Sequence, residues 1–106
     1  MRIKVFISQP MCGRTDEEIR KQREDAVCCV QEMYGVKRSE IEVIGSYFDD
    51  FARDAHPLMY LGRALVMMAD ADLVCFAPGW EKARGCRIEN VAAHEYEKDI
   101  LELFGV

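Results

Sequence analysis

The chain has 106 residues, half of them hydrophobic and 31% charged, with a formal net charge of -5. That is room for a single domain spanning residues 1–106 with one real core, and it excludes a disordered or multidomain chain. The acidic balance argues against a nucleic-acid polymer as partner, because neutralising phosphates needs a basic surface, whereas small anions can still be held by local cationic groups.

The chain opens with the β-branched and aromatic run 3–7, read as the central strand, with no signal-peptide core before it and no apolar run near the roughly 18 residues of a membrane span. The five cysteines include adjacent Cys28 and Cys29 and no Cys-x-x-Cys pair, which fits free thiols in a reducing compartment. A cytoplasmic protein without a membrane partner is therefore expected. A loop over 8–14 follows, and Thr15-Asp16-Glu17-Glu18 is a capping box that opens a helix. Its buried stripe is read as Ile19, Ala26, Val27, Val30 and Tyr34, with Arg20, Lys21, Arg23, Glu24 and Asp25 facing water and Gly35 as the stop. Residues 41–44 form a second short strand, and 45–50 are the loop at its carboxyl end.

Pro57 suits a first helical turn, and Leu58, Leu61, Leu65 and Met68 then run at helical spacing to Ala69. Ala71-Asp72 leads into a third strand, Leu73 to Phe76, whose unbroken apolar run is that of a strand buried on both faces. Pro78-Gly79 breaks it. Ala83, Ile88, Ala92 and Tyr96 then return at helical spacing, so that Glu89 falls on the early turns of a third helix. Residues 100–104 read as a short fourth strand or a frayed helical end, with the strand favoured. Strands alternating with helices imply right-handed crossovers and a doubly wound α/β fold, a flavodoxin-like parallel sheet of about four strands in the order 2-1-3-4 with helices on both faces. Ligands bind such sheets beyond the carboxyl ends of the strands. The loops 8–14, 46–50 and 77–87 converge there.

Each loop supplies candidate groups. Ser8, Gln9, Met11, Gly13 and Arg14 read either as a phosphate seat, with the free N–H groups of the following helix, or as an ordinary turn with an exposed arginine; there is no Walker motif and no Gly-x-Gly-x-x-Gly. Ser46 and Asp49 belong to the second loop. In the third, Trp80 reads as an aromatic wall for a flat base or as a hydrophobic plug over the helix. Gly79, Gly85 and Arg87 flank Glu89, whose carboxylate facing a crevice is the best catalytic candidate. His56 and His94 form no metal-binding spacing with cysteines or carboxylates, so neither a metal nor a cofactor is expected. Met67-Met68 reads as core.

Ile-Ser-Gln-Pro-Met-Cys-Gly-Arg-Thr at 7–15 and Phe-Ala-Pro-Gly-Trp-Glu-Lys-Ala-Arg-Gly-Cys-Arg-Ile-Glu at 76–89 closely resemble an uncharacterised bacterial and phage family. That family is grouped with the nucleoside 2-deoxyribosyltransferases and the deoxynucleoside-monophosphate N-glycosidases, and the resemblance covers essentially the whole chain. Those enzymes carry Gly-x-x-x-Glu-x-Gly-x-Ala after their third strand. Gly85, Glu89 and Ala93 match it, which makes Glu89 the counterpart of their nucleophile, while Val91 replaces the second glycine. Ser8 and Arg14 lie where nucleotide-binding members grip phosphate. Their second catalytic carboxylate falls on Ala64, and Asp49, Asp50 or a water are the remaining candidates for its work.

What the resemblance implies is retaining glycoside chemistry. Glu89 attacks the anomeric carbon of a nucleoside or nucleoside monophosphate, the base leaves, and water or another base resolves the ester. Arg14 and its loop hold the 5′-phosphate, Trp80 covers the base, and Arg87 holds Glu89 ionised or contacts phosphate. The alternatives are a nucleotide-binding protein that has lost the chemistry and a structural role for an acidic face. So short a chain leaves a shallow site, and a homodimer or higher homo-oligomer is expected to close it.

Overall fold

A computed structural model describes residues 2–45 and 56–104. The elements run β1 (Ile3–Ser8), α1 (Asp16–Tyr34), β2 (Ile41–Val43), α2 (Pro57–Ala69), β3 (Leu73–Phe76), α3 (Arg84–Glu95) and β4 (Asp99–Glu102). All sheet pairings are parallel and the order is β2-β1-β3-β4, a Rossmann-like α/β arrangement.

Side chains alternate across a strand, so each inner strand feeds two cores. Val5, Ile7, Leu73 and Cys75 point to the face covered by Ala26, Val27 and Val30 of α1. Phe6, Val74 and Phe76 point to the opposite face, against Ala64 and Met68 of α2 and Ala93 of α3. The ladder continues past the short strands, with Ala77 N–H donating to the Ser8 carbonyl at 2.9 Å. Ser8 thus ends β1 as a strand residue on the α2/α3 face. Asp72 ties the other end of the pair: its carboxylate accepts from Lys4 N–H at 2.9 Å.

The helix termini follow from local chemistry. The Thr15 hydroxyl accepts from Glu18 N–H at 3.1 Å and the Glu18 carboxylate accepts from Thr15 N–H at 2.9 Å, while Gly35 closes α1 at φ 63°. Pro57 starts α2.

Three expected stripes are corrected. Tyr34 is exposed rather than buried. The rise from Ile19 to Val30 is already about 16 Å at 1.5 Å per residue, enough to cover the short strands, so the last turn of α1 runs past the sheet. Leu58, also expected inside, is exposed, and Ala64 and Met68 are the buried residues of α2. On α3 the buried face is Cys86, Glu89 and Ala93, and Ile88 and Tyr96 stand outside. Glu89, expected to face a crevice, turns inward to a partner in β1.

Candidate active site

Because Ser8 sits at an even position of β1, its hydroxyl projects toward α3 and meets Glu89. Ser8 Oγ donates to Glu89 Oε1 at 2.5 Å, with both residues buried, at 2% and 8% exposure. A hydroxyl that donates to a carboxylate stabilises its ionised form. Burial pushes the Glu89 carboxyl above its ordinary range, and the Ser8 hydrogen bond pulls the other way. Cys86, one turn earlier on the same face, has its thiol pushed up to about 11, chiefly by burial, with an opposing Ser8 hydrogen bond. The floor of the site is therefore a buried triplet of Ser8, Cys86 and Glu89.

Above it lies an open cleft of about 1220 Å³, bounded by loop 8–14, the end of β2, α2 and the start of α3. Glu89 is the one carboxylate among its described lining residues, which also include the cations Arg14, Arg23, Lys82 and Arg84. Among the described residues of a chain of net charge -5, four cations and one buried carboxylate line the cleft. One wall is a stripe of α2: His56, Tyr60, Ala64 and Met67 recur at helical spacing and line the cleft.

The sequence candidates divide in three. Ser8, Gln9, Met11, Arg14, Gly79, Gly85 and Glu89 all line the cleft. Gly79, at φ 89°, lets loop 77–85 turn beneath Arg14, since a Cβ there would lie 3.3 Å from Arg14 Nη2. Gly13, at φ 76°, supports the turn in which Arg14 N–H donates to the Met11 carbonyl at 3.2 Å, but does not itself line the cleft. Ser46, Asp49 and Asp50 lie outside the described residues.

Trp80 and Arg87 are not brought in. Trp80 packs on Phe76 and Phe104, with ring centroids 5.5 and 6.4 Å apart, and joins the α2/α3 core as a plug. Arg87 is exposed and donates to the Glu81 carbonyl at 3.2 Å. Gln9 has a bracing part: its Nε2 donates to the Ile19 carbonyl at 3.2 Å and to Gln22 Oε1 at 3.0 Å, and its Oε1 accepts from Arg23 Nη1 at 3.1 Å. Gln22 in turn donates to the Pro78 carbonyl at 3.1 Å, and Arg23 to the Gly45 carbonyl at 3.3 Å. Arg23, expected to face water, instead ties the loop base at Gln9 to the one at Gly45, while Gln22 reaches the third at Pro78. Sequence reading missed Cys86, Tyr60 and the Gln22–Arg23 brace. Helical spacing from Glu89 pointed to the first, and the period of α2 to the second; the brace left no local signal.

Over residues 3–102, β1 through β4, the chain matches the family described as Domain of unknown function (DUF4406). The chain belongs to the DUF4406 family. Neither the curated proteins nor the solved structures compared with it contain a match. In this DUF4406 domain no helix among the described residues is long and apolar enough to cross a membrane. Nor does any group of three or more His, Cys, Asp or Glu side chains among them come together as a metal site.

Proposed function

We propose that this DUF4406 protein is an N-glycosidase or N-deoxyribosyltransferase acting on a nucleoside or nucleoside monophosphate, with Glu89 as nucleophile. The observation that carries the reading is the Ser8–Glu89 pair: a buried carboxylate, held by a hydrogen bond, on the floor of a cleft whose described lining residues include four cations. A desolvated carboxylate is costly until a positive charge forms beside it, and an oxocarbenium-like transition state supplies that charge. Glu89 bonds to C1′ as the C1′–N bond breaks and its electron pair leaves with the base. Water, or a second base in transfer, then opens the ester. Arg14, poised over Gly79, is the group suited to a 5′-phosphate. Ser8, placed by resemblance on the phosphate, is assigned to the carboxylate instead.

The nucleotide-binding alternative draws on Ala64. It lines the cleft, and by the sequence resemblance it stands where the related enzymes carry their second carboxylate, which a binder does not need. A second copy of the chain is part of either reading, since Leu58, Val66 and Val91 present apolar surface beside the cleft helices. The discriminating experiment incubates the protein with the common deoxynucleoside monophosphates and measures free base by chromatography. An enzyme releases base from at least one, and Glu89→Ala abolishes release while leaving binding largely intact. Tight binding without release across the panel establishes the binding protein.

A further inference from the structure

The loops that rim the cleft leave the sheet where strand pairing stops. Among the described residues the ladder reaches Ile44, whose N–H donates to the Val5 carbonyl at 2.8 Å, and Ala77, whose N–H donates to the Ser8 carbonyl at 2.9 Å. The residues that come next in the chain are Gly45 after Ile44, Pro78 after Ala77 and Gln9 after Ser8. These are the three points that one side-chain network holds.

Gln9 is the node of that network. Successive residues of a strand face opposite ways, so Ser8 points to Glu89 and Gln9 to α1. There Gln9 is 5% exposed, and its amide gives both Nε2 protons, one to the Ile19 carbonyl and one to Gln22 Oε1, while its Oε1 accepts from Arg23. Gln22 carries the link on to the Pro78 carbonyl, and Arg23 carries it to the Gly45 carbonyl. A buried polar network whose members are paired is rigid, and a gap in it is costly. With both amide protons donated inside the protein, Gln9 has none left for a ligand, although it borders the cleft.

What the network holds is the spacing between the binding groups and Glu89. Pro78 leads into Gly79, where an added Cβ would lie 3.3 Å from Arg14 Nη2 and 3.5 Å from Pro10 Cγ, so the third loop is the bed on which the first one rests. The neighbour of Gln9 on the other side is Ser8, the partner of Glu89. The arginine suited to phosphate and the carboxylate that meets the sugar are thus both referred to one amide. A substrate tied at the rim reaches the floor only if the rim stands in place, and a misplacement of about 1 Å costs about a hundredfold in rate.

We infer that Gln9 is a positioning residue: acting through Gln22 and Arg23, it fixes the rim loops over Glu89 so that a ligand held by Arg14 presents its anomeric carbon to the carboxylate. The inference rests on the reading of Glu89 as nucleophile.

The test is a kcat-against-KM comparison in the full chain, using the deoxynucleoside monophosphate that the unaltered protein cleaves. Gln9→Met keeps the length of the side chain and removes its hydrogen bonds. Val30→Ala, in the core under α1 and away from the loops, is the control for lost stability alone. At a temperature where both variants are folded, Gln9→Met is expected to lower kcat about a hundredfold with a far smaller change in KM, while Val30→Ala keeps kcat. Gln22→Met, at a half-buried position, makes the same test without emptying the node, and its smaller loss in kcat should not multiply with that of Gln9→Met, since both interrupt one chain of bonds. A raised KM with kcat unchanged makes Gln9 a ligand contact, and a kcat loss shared by Val30→Ala makes the network structural only. Either result, or losses that multiply, overturns the positioning role while leaving Glu89 as nucleophile. No base release from any nucleotide by the unaltered protein overturns the enzyme reading and this inference with it.

Discussion

Ser8→Ala removes one hydroxyl and leaves the cationic rim intact, so it isolates the contact on which the site is built. The hydrogen bond it deletes is 2.5 Å long, runs from a residue 2% exposed to one 8% exposed, and lowers the carboxyl against the larger raising effect of burial. A hydrogen bond to a charged group contributes about 1.5–3 kcal/mol. Losing it shifts the balance between ionised and neutral Glu89 toward the neutral acid. Carbon-13 NMR on protein labelled at glutamate reads this directly, with the Glu89 carboxyl assigned by comparison with Glu89→Gln. The titration midpoint should move to higher pH in Ser8→Ala, and base release lost at neutral pH should return in part as the pH is raised. A midpoint that stays in place or falls would show that Ser8 does not hold the ionised form, and the role assigned to it would be wrong.

The same carboxyl makes stability depend on pH. Its folded-state value lies above the ordinary 4.5, so its contribution is fully present below that value and is lost as pH rises through the folded one. Glu89→Gln should therefore stabilise the fold at neutral pH by on the order of 1 kcal/mol, seen as a higher melting temperature, with the gain shrinking as the solution is acidified toward pH 4. Gly79→Ala should destabilise by about 1–2 kcal/mol, because residue 79 is left-handed at φ 89° and a Cβ crowds Arg14; chemical denaturation gives the loss, and thermal shifts by nucleoside monophosphates should weaken with it. Gly85→Ala is the contrast: its Cβ meets nothing within 4 Å, so stability should hold while a narrowed cleft weakens nucleotide binding, as measured by calorimetry. Trp80→Ala should cost on the order of 2–3 kcal/mol for a half-buried aromatic, yet leave the increment in melting temperature from bound nucleotide unchanged, since the indole packs on Phe76 and Phe104 and lies outside the cleft.

What was legible in the sequence was what local chemistry decides. The capping box at Thr15, the glycine stop at Gly35, the apolar run of β3 and the strand order all follow from short-range pattern and the handedness of crossovers. Glu89 was found by its place after β3. Its partner was not, because Ser8 lies 81 residues away and only the two-residue period of β1 decides which face it joins. The helical spacing of Ala83, Ile88, Ala92 and Tyr96 did not mark the buried face of α3, which is Cys86, Glu89 and Ala93. Gln22 and Arg23 look like solvated helix residues until Pro78 and Gly45 are placed beside them. Trp80 carried two readings that only the position of Phe104 separates.

The central claim is that the buried carboxylate bonds covalently to the sugar. It is tested most directly by quenching the protein in acid during turnover of a deoxynucleoside monophosphate and mapping the peptides by mass spectrometry. The account predicts a deoxyribosyl-phosphate ester on the peptide holding Glu89, lost in Glu89→Ala. Base release that persists in Glu89→Ala, or an adduct carried by another residue, would contradict it.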